Sequence, residues 1–212
     1  MIEIQHFTYN PFQENTYLLI NDLQECIIID PGCYFENERN ELLQYIANRK
    51  LKVVKLWNTH CHLDHIFSNN LVSNTYDVLP VIHPLEQVIL DHSQQTALMY
   101  GLPFPPSPQP NTFFEDGETI TWGKDKIQVI LTPGHSPGSV SFYCAEQAFL
   151  IAGDVLFYES VGRTDFPHCS HADLMDSIKN KLFLLPDQVK VFPGHGPATT
   201  IGHEKVHNPF IS

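Results

Sequence analysis

Apolar and polar positions alternate over Met1-Ile2-Glu3-Ile4-Gln5-His6, and 2–9, 15–20 and 25–30 each read as a short strand. Asn10-Pro11 and Asn21-Asp22 break the runs, and the third stops at Asp30-Pro31-Gly32, which makes the opening a β-meander. From 36 to 49, Leu42, Leu43, Tyr45 and Ile46 share one helical face, and the strand-like run Val53-Val54-Lys55-Leu56-Trp57 follows. Residues 66–75 and 85–99 carry helical patterns joined by a short apolar segment at 78–82, the second helix starting after Pro84. Periodicity then stops. Residues 101–110 hold five prolines, which excludes helix and central strand and predicts an extended surface connection at the midpoint of two halves.

Beyond the midpoint the pattern restarts, with strands at 118–121, 126–131, 138–144 and 147–152, a helix over 171–185 capped by Ser170, and a strand at 188–192. Two halves that each run meander, then β-α-β, bury their faces best as two packed mixed sheets with outer helices. The predicted class is therefore a four-layer α/β sandwich. A three-layer doubly wound sheet competes, but the opening meander disfavours it.

Composition narrows the function. Twelve Lys+Arg against 24 Asp+Glu give a net charge of −12 over 212 residues. Without a basic run, such a chain repels phosphate backbones, so no nucleic-acid partner is expected. No apolar run approaches the roughly 20 residues of a membrane span, and the amino terminus lacks the pattern of a signal peptide. Five cysteines without a C-x-x-C pair make poor disulfide or zinc-module material, which points to a reducing cytoplasm. The anomaly is the 12 histidines.

Their placement is concentrated. His60-Cys61-His62-Leu63-Asp64-His65 follows an apolar strand and packs three imidazoles and a carboxylate into six residues. As a loop, it lets His60 and His62 converge on one ion while Asp64 and His65 face a neighbouring one, because all four do not fit one tetrahedral shell with an open position. His135, Asp154 and His195 each follow a strand and sit beside a glycine that lets backbone approach an ion. Five His and two Asp make two N/O sites that suit zinc and also accept iron or manganese. Asp154 has a natural place between the ions, and a bridging water would be ionised near neutral pH, which is hydrolytic chemistry. Cys61, between two ligands, points away. Asp30 ends its strand beside the site and is expected to orient a ligand imidazole.

Thr59-His60-Cys61-His62-Leu63-Asp64-His65, with His135, Asp154 and His195 in order, resembles the signature of the metallo-β-lactamase superfamily. The resemblance implies that superfamily's four-layer αβ/βα sandwich of two mixed sheets with outer helices, as a single domain over 1–212. It implies His60, His62 and His135 on one metal, Asp64, His65 and His195 on the other, and Asp154 bridging. His65, and the absence of a cysteine ligand, argue against antibiotic hydrolysis as the main activity.

Within the superfamily the chain resembles short bacterial glyoxalase II enzymes through 132–139, Gly162-Arg163-Thr164-Asp165-Phe166 and the 193–202 tail. The implied reaction is hydrolysis of a small acyl thioester such as S-D-lactoylglutathione, with Asp64 helping to position the hydroxide. The longer enzymes append a helical domain that holds glutathione, which this chain does not carry after its His195 motif. Arg163 offers a planar fork to a substrate carboxylate, or closes an ion pair with Asp165. Tyr158, Phe166 and the proline-rich segment are further candidates for lining the pocket. Alternatives within the fold are a persulfide dioxygenase with a single iron and a lactonase.

Overall fold

All seven residues of β2, Glu14–Ile20, are buried, and a strand covered on both faces needs partners on both edges. In the computed structural model, which describes residues 1–211, β2 pairs antiparallel with β1 (Glu3–Tyr9) and with β3 (Glu25–Ile29). The chain divides into two compact units, Met1–Phe113 and a second that begins at Phe114.

In the first unit, helix α1 (Glu36–Asn48) carries the chain from β3 to the parallel strand β4 (Lys52–Trp57), and β5 (Pro80–Val81) adds a second parallel edge. The sheet order is β1-β2-β3-β4-β5. Leu42 and Ile46 of α1 join Leu18, Ile20, Cys26, Ile28 and Leu56 in one buried cluster, which is the face predicted from the helical spacing. Ile27 and Ile29, on alternate positions of β3, are fully buried too. This explains why β3 reads as a continuous apolar run rather than an alternating one.

The second unit has the order β13-β12-β9-β8-β7-β6. Strands β6 (Thr119–Trp122), β7 (Asp125–Leu131), β8 (Val140–Cys144) and β9 (Phe149–Gly153) form an antiparallel meander. A short hairpin of β10 (Leu156–Phe157) and β11 (Ser160–Val161) follows, and then α5 (His171–Asn180) leads to β12 (Lys190–Pro193), parallel to β9. β13 (Thr199–Thr200) pairs antiparallel with β12 and runs into α6 (Ile201–His207). Leu174 and Ile178 of α5 pack with Leu150, Ala152, Val189 and Val191. Each unit thus places a meander before a helical crossover to a parallel strand, and the α/β class with two mixed sheets and helices stands as expected.

Several boundaries differ from the sequence reading. The helix expected over 171–185 stops at Asn180 and a 3-10 turn covers Leu182–Leu184. Pro186 disfavours helical backbone at Leu185, which is extended with ψ 153. Ser170 caps α5 as expected, accepting from Asp173 N–H. The pattern over 66–75 resolves into α2 (Leu63–Ile66) and α3 (Asn69–Tyr76), so the second half of the histidine-rich motif is a helical turn rather than a loop. The third helix begins as a 3-10 turn at Pro84–Glu86 and continues as α4 (Gln87–Tyr100).

The proline-rich segment is extended, but it is not simply a surface connection. Phe104 packs edge-on to Phe67, and Ser107 is buried where its hydroxyl accepts from Asn69. The division between units falls after Phe113 rather than within 101–110. Among the described residues no helix is long and apolar enough to cross a membrane.

Leu174 is fully buried in the core of the second unit. Leu174→Ala is expected to destabilise the protein by about 2–5 kcal/mol, read as a lower urea midpoint with an unchanged slope.

Candidate metal centre

Parallel pairing decides where the first ligands sit. Ile29 of β3 is in register with Trp57 of β4, so the residues that follow both strands emerge together, with Asp30 N–H bonded to the Trp57 carbonyl at 3.0 Å. Asp30 then accepts from the Thr59 N–H at 2.7 Å and from the Thr59 hydroxyl at 2.6 Å. Its Oδ2 also faces His65 Nδ1 at 3.0 Å. The Thr59 hydroxyl, having given its hydrogen to Asp30, accepts from His60 Nδ1 at 3.0 Å. Both imidazoles are therefore fixed in the tautomer that leaves the Nε2 lone pair for a cation. His62 caps α2, its ring 4.8 Å from that of His60, and the rings of His60 and His65 are 4.1 Å apart. Asp64 Oδ2 lies 3.7 Å from His65 Nε2.

Buried side chains hold the backbone of this segment. Asn58 donates to the His65 carbonyl at 3.1 Å and exchanges hydrogen bonds with Asn69, which reaches Ser107. Asn10 donates to the Asp64 and Gly32 carbonyls at 3.0 and 2.9 Å. Glu86, fully buried, accepts from the Cys61 N–H at 2.8 Å. Cys61 itself lies in an apolar cluster with Leu63, Ile66, Phe67 and Ile82, and burial pushes its thiol well above the usual range. Glu14 is buried beside His65, and burial raises its carboxyl well above normal, an effect that the charge of Asp30 reinforces. Gly32 has no room for a Cβ, which would overlap the Glu14 carboxylate and the Asp64 carbonyl.

The second unit repeats the device. Pro193 of β12 is in register with Gly153 of β9, and Gly194 N–H bonds the Gly153 carbonyl at 2.8 Å, so Asp154 and His195 emerge side by side. Asp154 Oδ2 lies 3.4 Å from His195 Nε2 and 3.4 Å from His135 Nε2. His135 Nδ1 donates to the Arg163 carbonyl at 2.8 Å, so it too presents Nε2. A Cβ at Gly162 would overlap the Asp154 carbonyl, so only glycine brings this loop so close.

Of the seven residues expected as ligands, four gather in the first unit and three in the second. Nitrogen and carboxylate donors aimed through tied imidazoles fit divalent metal.

The Arg163 guanidinium is engaged rather than open: it forms a bidentate pair with Asp165 at 2.7 and 2.6 Å and lies 4.1 Å above the Phe166 ring. Tyr158 stacks on His203. Asn10 and Glu86 were not legible as site residues, because each is remote in sequence from the backbone it holds, and Asn58, only seven positions from His65, carries no donor pattern of its own. Their burial is the only signal that marks them.

A sequence profile of the metallo-β-lactamase superfamily matches residues 9–195, and the chain belongs to that superfamily. It is 35% identical over 204 residues to a probable metallo-hydrolase of Bacillus subtilis (strain 168), YqgX, spanning 95% of this chain and 94% of that protein. It is 32% identical over 213 residues to the hydroxyacylglutathione hydrolase GloC of Haemophilus influenzae, spanning 100% and 99%. Among solved structures it resembles the B3 metallo-β-lactamase BLEG-1, with a TM-score of 0.90, 35% identity and coverage of 99% and 100%. It also resembles TTHA1623 in a di-iron-bound form, with a TM-score of 0.87, 37% identity and coverage of 97% and 99%. The fold class and a metallo-hydrolase relationship follow, and this fold implies divalent metal binding.

Glu86→Ala removes the acceptor of a buried N–H and is expected to cost about 1–3 kcal/mol in urea unfolding, most of it recovered in Glu86→Gln, which keeps an acceptor oxygen. The Arg163 hydrogen bonds hold the Asp165 carboxyl below its ordinary range. That pairing is present above the ordinary carboxylate pKa and is lost as pH falls through the lowered one. An NMR titration of Asp165 is expected to shift upward in Arg163→Gln.

Proposed function

We propose that the chain is a dinuclear metal-dependent thioesterase of glyoxalase II type, acting as one domain over 1–212 on a small acyl thioester such as S-D-lactoylglutathione. The observation that carries this reading is Asp154, whose Oδ2 lies at the same 3.4 Å from two imidazole Nε2 atoms, the disposition of a bridging carboxylate. On this reading His60, His62 and His135 would hold one ion and Asp64, His65 and His195 the other, with Asp154 serving both. Zinc is the default for this donor set, with iron or manganese as acceptable occupants. When bound, the ions supply Lewis acidity and a water ionised near neutral pH, which is what hydrolysis of a thioester needs.

The chain's own residues do the rest. Asp64 would accept a hydrogen bond from the attacking water and so help to orient it toward the carbonyl carbon. Thr59, Asp30 and the Arg163 carbonyl keep the Nδ1 protons of His60, His65 and His135 in place, so that these three imidazoles hold their tautomer during turnover. A thiolate leaves readily, so no dedicated general acid is required. Arg163, Tyr158 and Phe166 are the candidate substrate residues, and the Arg163 fork must leave Asp165 to take a substrate carboxylate. Glutathione as the thiol is supported by the relative named for that activity, which this chain spans almost completely. A cytoplasmic location belongs to the same reading.

The test combines elemental analysis of protein purified without added metal with S-D-lactoylglutathione hydrolysis. About two metal equivalents with turnover are expected, and His62→Ala or Asp154→Ala is expected to lose metal and turnover together. Full turnover with normal metal content in either variant sinks the ligand assignment. A single iron without hydrolysis, together with oxygen consumption on glutathione persulfide, replaces the reading with the dioxygenase.

A further inference from the structure

Residues 203–207, His203-Glu204-Lys205-Val206-His207, spell H-E-x-x-H on α6. This spacing places the two imidazoles on one helical face, and their ring centroids are 4.6 Å apart. Glu204 does not share that face. It is buried, and its carboxylate is occupied by the Glu159 N–H at 3.0 Å, the Thr199 hydroxyl at 2.5 Å and the Asn208 amide at 2.7 Å. No general base is therefore aimed at the histidine pair, and a protease-like reading of the motif fails.

What Glu204 does is hold another carboxylate in place. Glu159 forms the tip of the β10–β11 hairpin in a left-handed conformation with φ 52, and its backbone is tied to α6 through Glu204. Asn208 adds a second tie, donating to the Ser160 carbonyl at 3.0 Å. The Glu159 side chain then meets the helix, with Oε1 3.1 Å from His203 Nε2. Two donors bound to one ion at about 2.0–2.2 Å and near-tetrahedral angles lie roughly 3.3–3.6 Å apart, so an ion would replace this hydrogen bond with an opening of only a few tenths of an ångström. Tyr158 stacks on the His203 ring at 5.0 Å and 15°, which fixes its plane. His207 is exposed one turn further along the same face, its ring 4.6 Å from that of His203.

We propose that His203, His207 and Glu159 form a further metal site on the second unit, for a borderline divalent ion such as Zn²⁺ or Ni²⁺, clasping the β10–β11 hairpin to α6. Two imidazoles and one carboxylate select such ions over Ca²⁺ or Mg²⁺, which require oxygen shells. None of these donors is among the seven proposed ligands, so the inference stands apart from the two-ion reading.

The test is calorimetric titration of the protein, as isolated with its resident metal, with Zn²⁺. One further equivalent is expected, bound about tenfold more weakly or not at all in His203→Asn and His207→Asn, with the metal kept through desalting unchanged. Retention of the untagged chain on immobilised Ni²⁺ gives an independent readout, with His207→Asn expected to elute early. The three side chains are at least partly exposed and the buried Glu204 is untouched, so the variants keep the fold. A wild type that takes up no further equivalent overturns the proposal, as does unchanged affinity in both variants.

Discussion

A neutral imidazole offers one lone pair, and which nitrogen carries it depends on where the proton of the other is held. In this protein the proton is held three times by a different acceptor: the Thr59 hydroxyl for His60, the Asp30 carboxylate for His65 and the Arg163 carbonyl for His135. Each acceptor is itself fixed. Thr59 is bonded to Asp30 through both its N–H and its hydroxyl, and the Arg163 loop is braced by the pair with Asp165 and by Phe166. A cluster of histidines becomes a set of aimed donors only through this second layer.

The second layer in turn depends on parallel strand pairing. Neighbouring parallel strands run out at the same end of a sheet, so the residues after them are adjacent even when far apart in sequence. β3 and β4 deliver Asp30 beside Thr59, while β9 and β12 deliver Asp154 beside His195. Both pairs need a helical crossover, and the apolar faces of α1 and α5 hold the crossovers on their sheets. The hydrophobic pattern that gives the fold therefore also sets the register on which the donor geometry rests.

The same economy appears in the backbone around the ligands. Asn10, Asn58 and Glu86 hold single carbonyl or N–H groups of the 60–65 segment, which has to turn from strand to helix within a few residues. Such groups are costly when buried without partners, so the polar residues that serve them are part of the structure rather than surplus. Ser107 links the proline-rich segment to this network through Asn69, which gives that stretch a packed role its composition did not suggest.

The sequence by itself determined the order of elements, the repetition of a meander followed by a crossover, and the position of His60, His62, Asp64, His65, His135, Asp154 and His195 after strand-like runs. These are local properties: side-chain period, turn residues and density of donor types are all written within a few residues of one another. The tertiary structure decided what local pattern does not carry. It turned Asp64 and His65 into a helical turn, closed the Arg163 fork on Asp165, and put Glu86 against Cys61 and Glu159 against His203. Each of these except the first two joins residues 25 or more positions apart. Their meeting is set by sheet register and helix packing, and those are chosen by the sum of buried apolar contacts over a whole unit rather than by any one segment.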